Sequence, residues 1–396
     1  MKSIVVIGDG MADWPLDELG GKTPLMVAKK PHMDFMASRG FTGKVLTVPQ
    51  GFSPASDVAC MSIFGYDPSK YYTGRAPIEA YAMGIRMDEA DVAFRCNLVY
   101  LDVRLPTVVM GDYSAGHITT DEARSLVSDL QSTFGNEQFR FYPGVSYRHI
   151  LVWKGGKTGM ETTPPHDILE KEVIDHMPRG EGAETIVKLM SDSQLLLKDH
   201  PVNRARLARS SFPANSIWLW GQGRKPYFPA FREKYGASGA VVAAVDLVKG
   251  IGALAGFDTP HIEGATGYLD TDYGAKARAA LELLDGHDVV YVHIEAPDEA
   301  SHGGMTAEKI RAIERIDHDV LGFLLENTGE KVQFLLATDH ATPIALRTHY
   351  ATPVPFAMFG KGGRWSGGAA TYDENAGDSV VSGEEMVTRF LKGVNR

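Results

Sequence analysis

Asp298-Glu299-Ala300-Ser301-His302, followed by Asp339-His340 and then His349, is the stretch on which the reading of this sequence turns. The run Asp288-Val289-Val290-Tyr291-Val292-His293-Ile294 leads into the first group. The run Val332-Gln333-Phe334-Leu335-Leu336-Ala337-Thr338 leads into the Asp339-His340 pair. Short apolar runs rich in β-formers read as buried strands. Carboxylates and imidazoles therefore fall just past the carboxyl ends of two strands, where open α/β sheets place ligand sites. Asp and His together make a borderline donor set suited to Zn, Mn, Fe or Co. Any one of these residues could instead cap a helix or brace a loop. Their concentration in two such places, beside the N-terminal motifs, favours a metal site.

At the N-terminus, Ser3 to Ile7 reads as a strand, and Gly8-Asp9-Gly10-Met11 as a glycine-flanked turn at its carboxyl end. Those glycines allow close approach to the Asp9 carboxylate, although Asp9 by itself would pass for a turn residue. Thr23 to Arg39 reads as one helix with Pro24 in its first turn. Thr42 to Val48 reads as a strand. In Gln50-Gly51-Phe52-Ser53-Pro54-Ala55-Ser56-Asp57-Val58-Ala59, a glycine-proline loop ends at Ser56, and Val58 to Phe64 reads as a helix. Ser56 thus sits at or near a helix N-terminus, where N–H groups and the dipole stabilise an anion. The commoner use of such a serine is a plain N-cap. Gly51-Phe52-Ser53-Pro54-Ala55 lacks the second glycine of a nucleophile elbow. Gly21-Lys22-Thr23 and Gly156-Lys157-Thr158 have Leu16 and Leu151 where a phosphate loop needs its first glycine.

The chain has 396 residues, enough for two domains. A formal charge of -10 disfavours a nucleic-acid partner. It leaves room for an anionic small substrate, because local arginines outweigh net charge in a cleft. Cys60 and Cys96 make no disulfide framework, which points to a reducing, cytoplasmic setting. Ile4-Val5-Val6-Ile7 is too short for a signal-peptide core. Ala237 to Gly256 is interrupted by Asp246 and Lys249 and is no membrane span.

From about residue 90 the texture changes. Phe94 to Leu98 and Arg148 to Val152 read as strands with outward polar groups, and Asp121 to Phe134 as an amphipathic helix. Glu184 to Leu197 reads as a helix, and Ser216-Ile217-Trp218-Leu219-Trp220 resumes a strand. For a single site, Asp9 and Ser56 must meet Asp298 and Asp339. The middle is therefore read as an insertion. Residues 1–90 and 215–396 form the core, and 91–214 an inserted α+β cap. The fold class is α/β, a mostly parallel sheet flanked by helices.

Gly8-Asp9-Gly10, Ser56-Asp57-Val58-Ala59 with Phe64-Gly65-Tyr66-Asp67-Pro68, Asp298-x-x-x-His302, Asp339-His340 and His349 occur in that order. Over nearly the whole chain this resembles the cofactor-independent phosphoglycerate mutases of the archaeal type, within the alkaline phosphatase superfamily. The resemblance implies an alkaline-phosphatase-like sheet and two divalent metals. Manganese is the ion expected, with zinc, cobalt or magnesium as alternatives. It implies one metal on Asp298, His302 and His349, and the other on Asp9, Ser56, Asp339 and His340. Ser56 matches the nucleophile that becomes phosphorylated, and Lys249 a lysine near it. Arg95, His117, Arg148 and Arg224 match phosphate or carboxylate contacts. Trp220-Gly221-Gln222-Gly223 departs from the arginine-glycine form of archaeal members, which bears on substrate identity.

The chemistry suits these residue types. A serine hydroxyl is a poor nucleophile at neutral pH, and metals make it a better one while holding phosphoryl oxygens. Arginines grip phosphate and carboxylate bidentately. The expected activity is interconversion of 3- and 2-phosphoglycerate through phospho-Ser56, under a cap that closes against water. The expected partner is a small phosphorylated, carboxylate-bearing substrate, with no nucleic acid, no membrane, and a homo-oligomer left open. A homoserine kinase-like phosphotransferase and a phosphohydrolase remain alternatives on the same scaffold. A metal-stabilised binding module would not need a serine poised opposite both metal motifs. No Cys- or Ser-x-Pro-x-Arg stretch occurs at Ser56, which disfavours sulfatase chemistry.

Overall fold

The computed structural model describes residues 1–104, 106–377 and 379–392. The chain forms two compact units. One is Met1–Tyr72 with the described residues from Tyr227 onward, and the other is Thr73–Pro226. The first unit contributes β1 (Lys2–Gly8) and β2 (Phe41–Leu46) before the chain leaves it. The second holds β3 (Val92–Arg104), β4 (Thr107–Asp112), β5 (Phe139–Tyr142), β6 (Arg148–Trp153), β7 (Met160–Glu161), β8 (Arg179–Gly180) and β9 (Ser216–Arg224). The first unit then resumes with β10 (Gly239–Val242), β11 (Val289–Ile294), β12 (Val332–Thr338), β13 (Val354–Gly360) and β14 (Val380–Ser382).

In the first unit these strands make one sheet in the order β10-β11-β1-β12-β13-β2-β14. It is parallel except for β13, which runs antiparallel to both neighbours. All residues of β11 and β12 are buried, as expected where helices cover both faces of a parallel sheet. On one face Ile4, Val6, Val290, Val292, Phe334 and Leu336 join the core made with helices Tyr273–Gly286 and Thr306–Arg315. On the other, Phe64 stacks on Tyr291 at 4.2 Å between ring centroids. Register then places the site: Gly8 pairs with Ile294 on one side and with Thr338 on the other. The chain therefore leaves β1, β11 and β12 at one sheet edge, as Asp9, Glu295 and Asp339. The helix read over Thr23 to Arg39 is two helices, Pro24–Val27 and Pro31–Arg39. Pro31 has no N–H to continue the first and disfavours helical backbone at Lys30, whose φ is −133°.

The second unit is built on a sheet in the order β4-β3-β6-β5, with β9 pairing β3. Helices Thr120–Phe134 and Ala183–Leu197 share its main core with Phe94, Cys96 and Leu98. The first of these helices starts with a capping box between Thr119 and Glu122. The unit is longer at both ends than the 91–214 segment read from sequence. The reason is packing. Ala76 and Ala80 of the helix Arg75–Ala82 are buried with Ala93, Ile150 and Val152, and β9 runs on to Arg224. Covering that second face also buries Arg95, and His149 lies buried as well, so these polar groups do not point outward. Among the described residues no helix is long and apolar enough to cross a membrane.

Candidate active site

Three chain ends of the first unit supply the site. After β1, Gly10 takes φ 61°, and a Cβ there would lie 2.6 Å from Thr342 Oγ1 and 2.7 Å from Asp298 Oδ1. Glycine is required by that close approach as well as by the backbone. Gly10 N donates to Asp339 Oδ1 at 3.0 Å, which ties the β1 turn to the end of β12. After β11 comes the helix Ala296–His302, with Pro297 in its first turn and Asp298 and His302 one turn apart on one face.

Asp298, His302 and His349 converge. His302 Nε2 lies 3.0 Å from Asp298 Oδ2 and 3.1 Å from His349 Nε2. His349 Nε2 lies 3.6 Å from Asp298 Oδ1. Burial raises the Asp298 pKa, but His349 and His302 outweigh it and hold the carboxyl well below its usual range. Burial lowers His302, and Asp298 overcomes this to lift it to about 9. A cation would take over the role of that extra proton.

Asp9, Asp339, His340 and Ser56 form the adjoining group. His340 Nε2 lies 3.1 Å from Ser56 Oγ, 3.2 Å from Asp339 Oδ2 and 3.5 Å from Asp9 Oδ1. Ser56 is the first residue of the helix Ser56–Ile63, whose N-cap is Ala55, so its hydroxyl is not spent as a cap. His340 and His349 rings are 4.2 Å apart, so the two groups are continuous.

These residues fit metal ions. Burial, with repulsion from Asp339 and Asp298, pushes the Asp9 pKa well up, and Asp9 Oδ1 has no hydrogen-bond partner among the described residues. Burial raises Asp339 too, only partly opposed by His293. Burial drives His340 well down and His293 to about 4, so both imidazoles are neutral donors rather than counter-charges. Repelling carboxylates beside neutral imidazoles lack the positive charge that a divalent ion brings.

Three residues of this region escaped the sequence reading. Thr342 bridges the two groups through its hydroxyl. His293, at the penultimate position of β11, has Nε2 3.1 Å from Asp9 Oδ2. Cys60 Sγ lies 3.8 Å from Asp339 Oδ2. The signal available was helical spacing from Ser56 to Cys60 and the position of His293 near a strand end. Lys249 is half-buried on the helix Asp246–Leu254, which packs against Ser56–Ile63, and its charge helps depress the buried Lys276.

In the second unit, Glu79 Oε1 receives Arg95 Nη1 at 2.9 Å and Arg75 Nε at 2.8 Å. Arg95 and Arg75 lie 4.9 and 5.8 Å from the Trp220 ring, and Arg148 lies 5.5 Å from the Tyr147 ring. Burial lowers Arg95 to about 10, with Arg75 and Arg148 adding repulsion that Glu79 only partly offsets. The cluster thus holds more guanidinium charge than carboxylate. His117 meets Tyr147 at 6.3 Å between ring centroids. Arg224 stands outside this cluster, exposed, with Nη1 3.4 Å from the Glu89 carbonyl. Arg75 was not anticipated: its pair with Glu79 is an i,i+4 contact within the helix Arg75–Ala82, but only the packing of that helix on β3 and β9 brings Arg95 to the same carboxylate.

A family model described as 2,3-bisphosphoglycerate-independent phosphoglycerate mutase matches residues 37–203. A probable enzyme of that name from Geobacter sulfurreducens is 52% identical over 382 residues, 96% of this chain and 96% of its own. The chain belongs to the 2,3-bisphosphoglycerate-independent phosphoglycerate mutase family. The Methanothrix thermoacetophila mutase is 49% identical, over 99% of this chain and 100% of its own. Among solved structures, a Pyrococcus horikoshii protein superposes with a TM-score of 0.82 at 29% identity, covering 100% of this chain and 97% of its own. The cofactor-independent phosphoglycerate mutase of Thermoplasma acidophilum gives a TM-score of 0.64 at 26% identity, over 99% of both chains. The mutase name runs along full-length relatives, which favours the first of the activities left open by the sequence.

Proposed function

We propose that this protein interconverts 3-phosphoglycerate and 2-phosphoglycerate without 2,3-bisphosphoglycerate, through transient phosphorylation of Ser56. The observation that carries this reading is Ser56 Oγ, free of capping duty, 3.1 Å from His340 Nε2 at the edge of two metal-fitting groups. Asp298, His302 and His349 would hold one divalent ion, and Asp9, Ser56, Asp339 and His340 the other. Manganese is the ion proposed. When bound, such ions make the serine hydroxyl a stronger nucleophile and offset phosphoryl charge.

The chain's own residues do the rest. Ser56 Oγ takes the phosphoryl group from one glycerate oxygen, which receives the proton the serine gives up. The other glycerate oxygen then takes the phosphoryl group back, and Ser56 regains a proton. Backbone N–H groups in the first turn of Ser56–Ile63 suit the phosphoserine anion. Arg75, Arg95 and Arg148 supply bidentate donors for a substrate with a carboxylate as well as a phosphate. His117 and Lys249 are proposed as further contacts, to substrate and nucleophile respectively. Arg224 is the weakest of the proposed contacts, given its place outside the cluster. Buried, unpaired Cys60 and Cys96 suit a reducing cytoplasm.

Rapid quench of the manganese-loaded protein with 3-phosphoglycerate, followed by peptide mass spectrometry, tests this. A phosphate on Ser56 is expected, and its loss after chelation. Turnover of ATP and homoserine, with no phosphoglycerate conversion, would replace the substrate reading.

A further inference from the structure

Asp9 faces two ways, and one oxygen of Asp339 meets two partners. Asp9 Oδ1 looks toward His340 Nε2 at 3.5 Å, on the Ser56 side, while Oδ2 looks toward His293 Nε2 at 3.1 Å. Asp339 Oδ2 lies 3.2 Å from His340 Nε2 and 3.8 Å from Cys60 Sγ. Cys60, one helical turn beyond Ser56, and His293 thus add a thiol and an imidazole to the carboxylate pair.

One donor atom each from Cys60, His293 and Asp339 all lie within 4.8 Å of one another. Cys60 is 0% exposed, His293 1% and Asp339 0%. His293 Nε2 is fully buried and has no hydrogen bond among the described residues, since its approach to Asp9 is misaligned for one. A buried imidazole nitrogen facing the Asp9 carboxylate without a hydrogen bond, on a ring grouped with a second carboxylate and a thiol, calls for an explanation. The plain alternative for Cys60 is a small core hydrophobe. Against that, its sulfur faces the Asp339 carboxylate, a poor neighbour for an apolar group.

We propose that Cys60, His293, Asp9 and Asp339 form a further cation position beside the Ser56 site, selective for a thiophilic divalent ion such as zinc or cobalt. One sulfur, one nitrogen and carboxylate oxygens make a borderline-soft donor set. Magnesium favours oxygen and keeps its waters, so it is a poor occupant. On binding, Cys60 gives its proton to solvent and ligates as thiolate, so loading releases that proton. Asp9 and Asp339 are shared with the Ser56 side. The proposal shares those ligands with the mutase reading but depends on no substrate.

The test is titration of metal-free protein with Co(II), followed by absorbance and elemental analysis. Wild type is expected to show a near-ultraviolet sulfur-to-cobalt charge-transfer band, and to bind more cobalt than manganese per chain. Cys60→Ser and Cys60→Ala are expected to lose the band, and Cys96→Ser to keep it. His293→Gln should weaken cobalt binding at this position by about tenfold or more, the scale on which ligand-sphere changes act. A correctly folded Cys60→Ser or Cys60→Ala, judged by circular dichroism and manganese binding, that retained the band would overturn the proposal. So would a wild-type cobalt spectrum with no sulfur band. Manganese-supported phosphoglycerate turnover of the same wild-type preparation reports separately on the mutase reading.

Discussion

Thr342 Oγ1 lies 2.6 Å from Asp298 Oδ1, and the same hydroxyl lies 3.1 Å from His340 Nδ1. A hydroxyl has one proton to give. Given to Asp298, it leaves the oxygen to accept from His340 Nδ1–H. His340 Nε2 then carries a lone pair toward Ser56. One side chain thereby orients a residue of each metal-fitting group, as outer partners of metal ligands commonly do. Thr342→Val should lower manganese affinity by about 10–100-fold, and Thr342→Ser should restore most of it. Calorimetric titration of the metal-free variants reads this out. Equal affinity in Thr342→Val and wild type would remove the link.

Gly10→Ala should be more damaging than an ordinary turn substitution. Its Cβ would sit 2.6 Å from Thr342 Oγ1 and 2.7 Å from Asp298 Oδ1, at φ 61°. Strain of this kind costs on the order of 1–3 kcal/mol, and the atoms displaced belong to the site. Loss of metal binding with a folded far-ultraviolet spectrum is expected, and unchanged metal binding would show that the turn yields more than its packing suggests.

Arg75 shares Glu79 with Arg95, whereas the Arg224 side chain, among the described residues, reaches a backbone carbonyl and no carboxylate. Arg75→Gln should raise KM for 3-phosphoglycerate by about tenfold, corresponding to one charge-assisted contact. Arg224→Gln should stay near wild type. Steady-state kinetics on both variants decides, and a larger effect at Arg224 would reverse the assignment.

His149 gives the second unit a pH signature. Burial, with Arg95 and Arg148 nearby, lowers its pKa from 6.5 to about 3. Below about 6.5 the unfolded chain takes a proton that the folded unit refuses until about pH 3. This contribution is therefore whole above pH 6.5 and is lost as pH falls through that window, by several kcal/mol in all, on the order of 1.4 kcal/mol per pH unit. His149 Nδ1 accepts from Gly144 N at 3.0 Å, an acceptor that asparagine can mimic. His149→Asn should flatten the decline between pH 6.5 and 4, as followed by denaturant titration. An identical slope in the variant would mean that other groups carry the acid sensitivity.

Much of the core was legible because buried parallel strands are written as unbroken apolar runs. Val332 to Thr338 is β12, and the run ending at Ile294 is β11. Asp298 and His302 were grouped through the motif resemblance, and the helix Ala296–His302 accounts for their spacing. What stayed hidden depends on register and packing between distant segments. His293 faces Asp9 because β11 lies beside β1 with Ile7 opposite His293. Thr342 matters only once His340 and Asp298 have been brought together. Arg75 and Arg224 look alike in sequence, and a helix packed on a sheet face separates them. The break at Pro31 was readable and was passed over, since proline cannot continue the hydrogen bonds of the preceding turn.

The most direct test of the account follows 3-phosphoglycerate by phosphorus NMR, with manganese-loaded protein and neither ATP nor 2,3-bisphosphoglycerate present. Wild type should bring 3- and 2-phosphoglycerate to equilibrium without releasing inorganic phosphate as the main product. Ser56→Ala, which removes the nucleophile and one proposed ligand, should leave the substrate signal unchanged while the protein remains folded and still binds metal. Substantial conversion by Ser56→Ala, or an inert wild type of verified metal content, would contradict it.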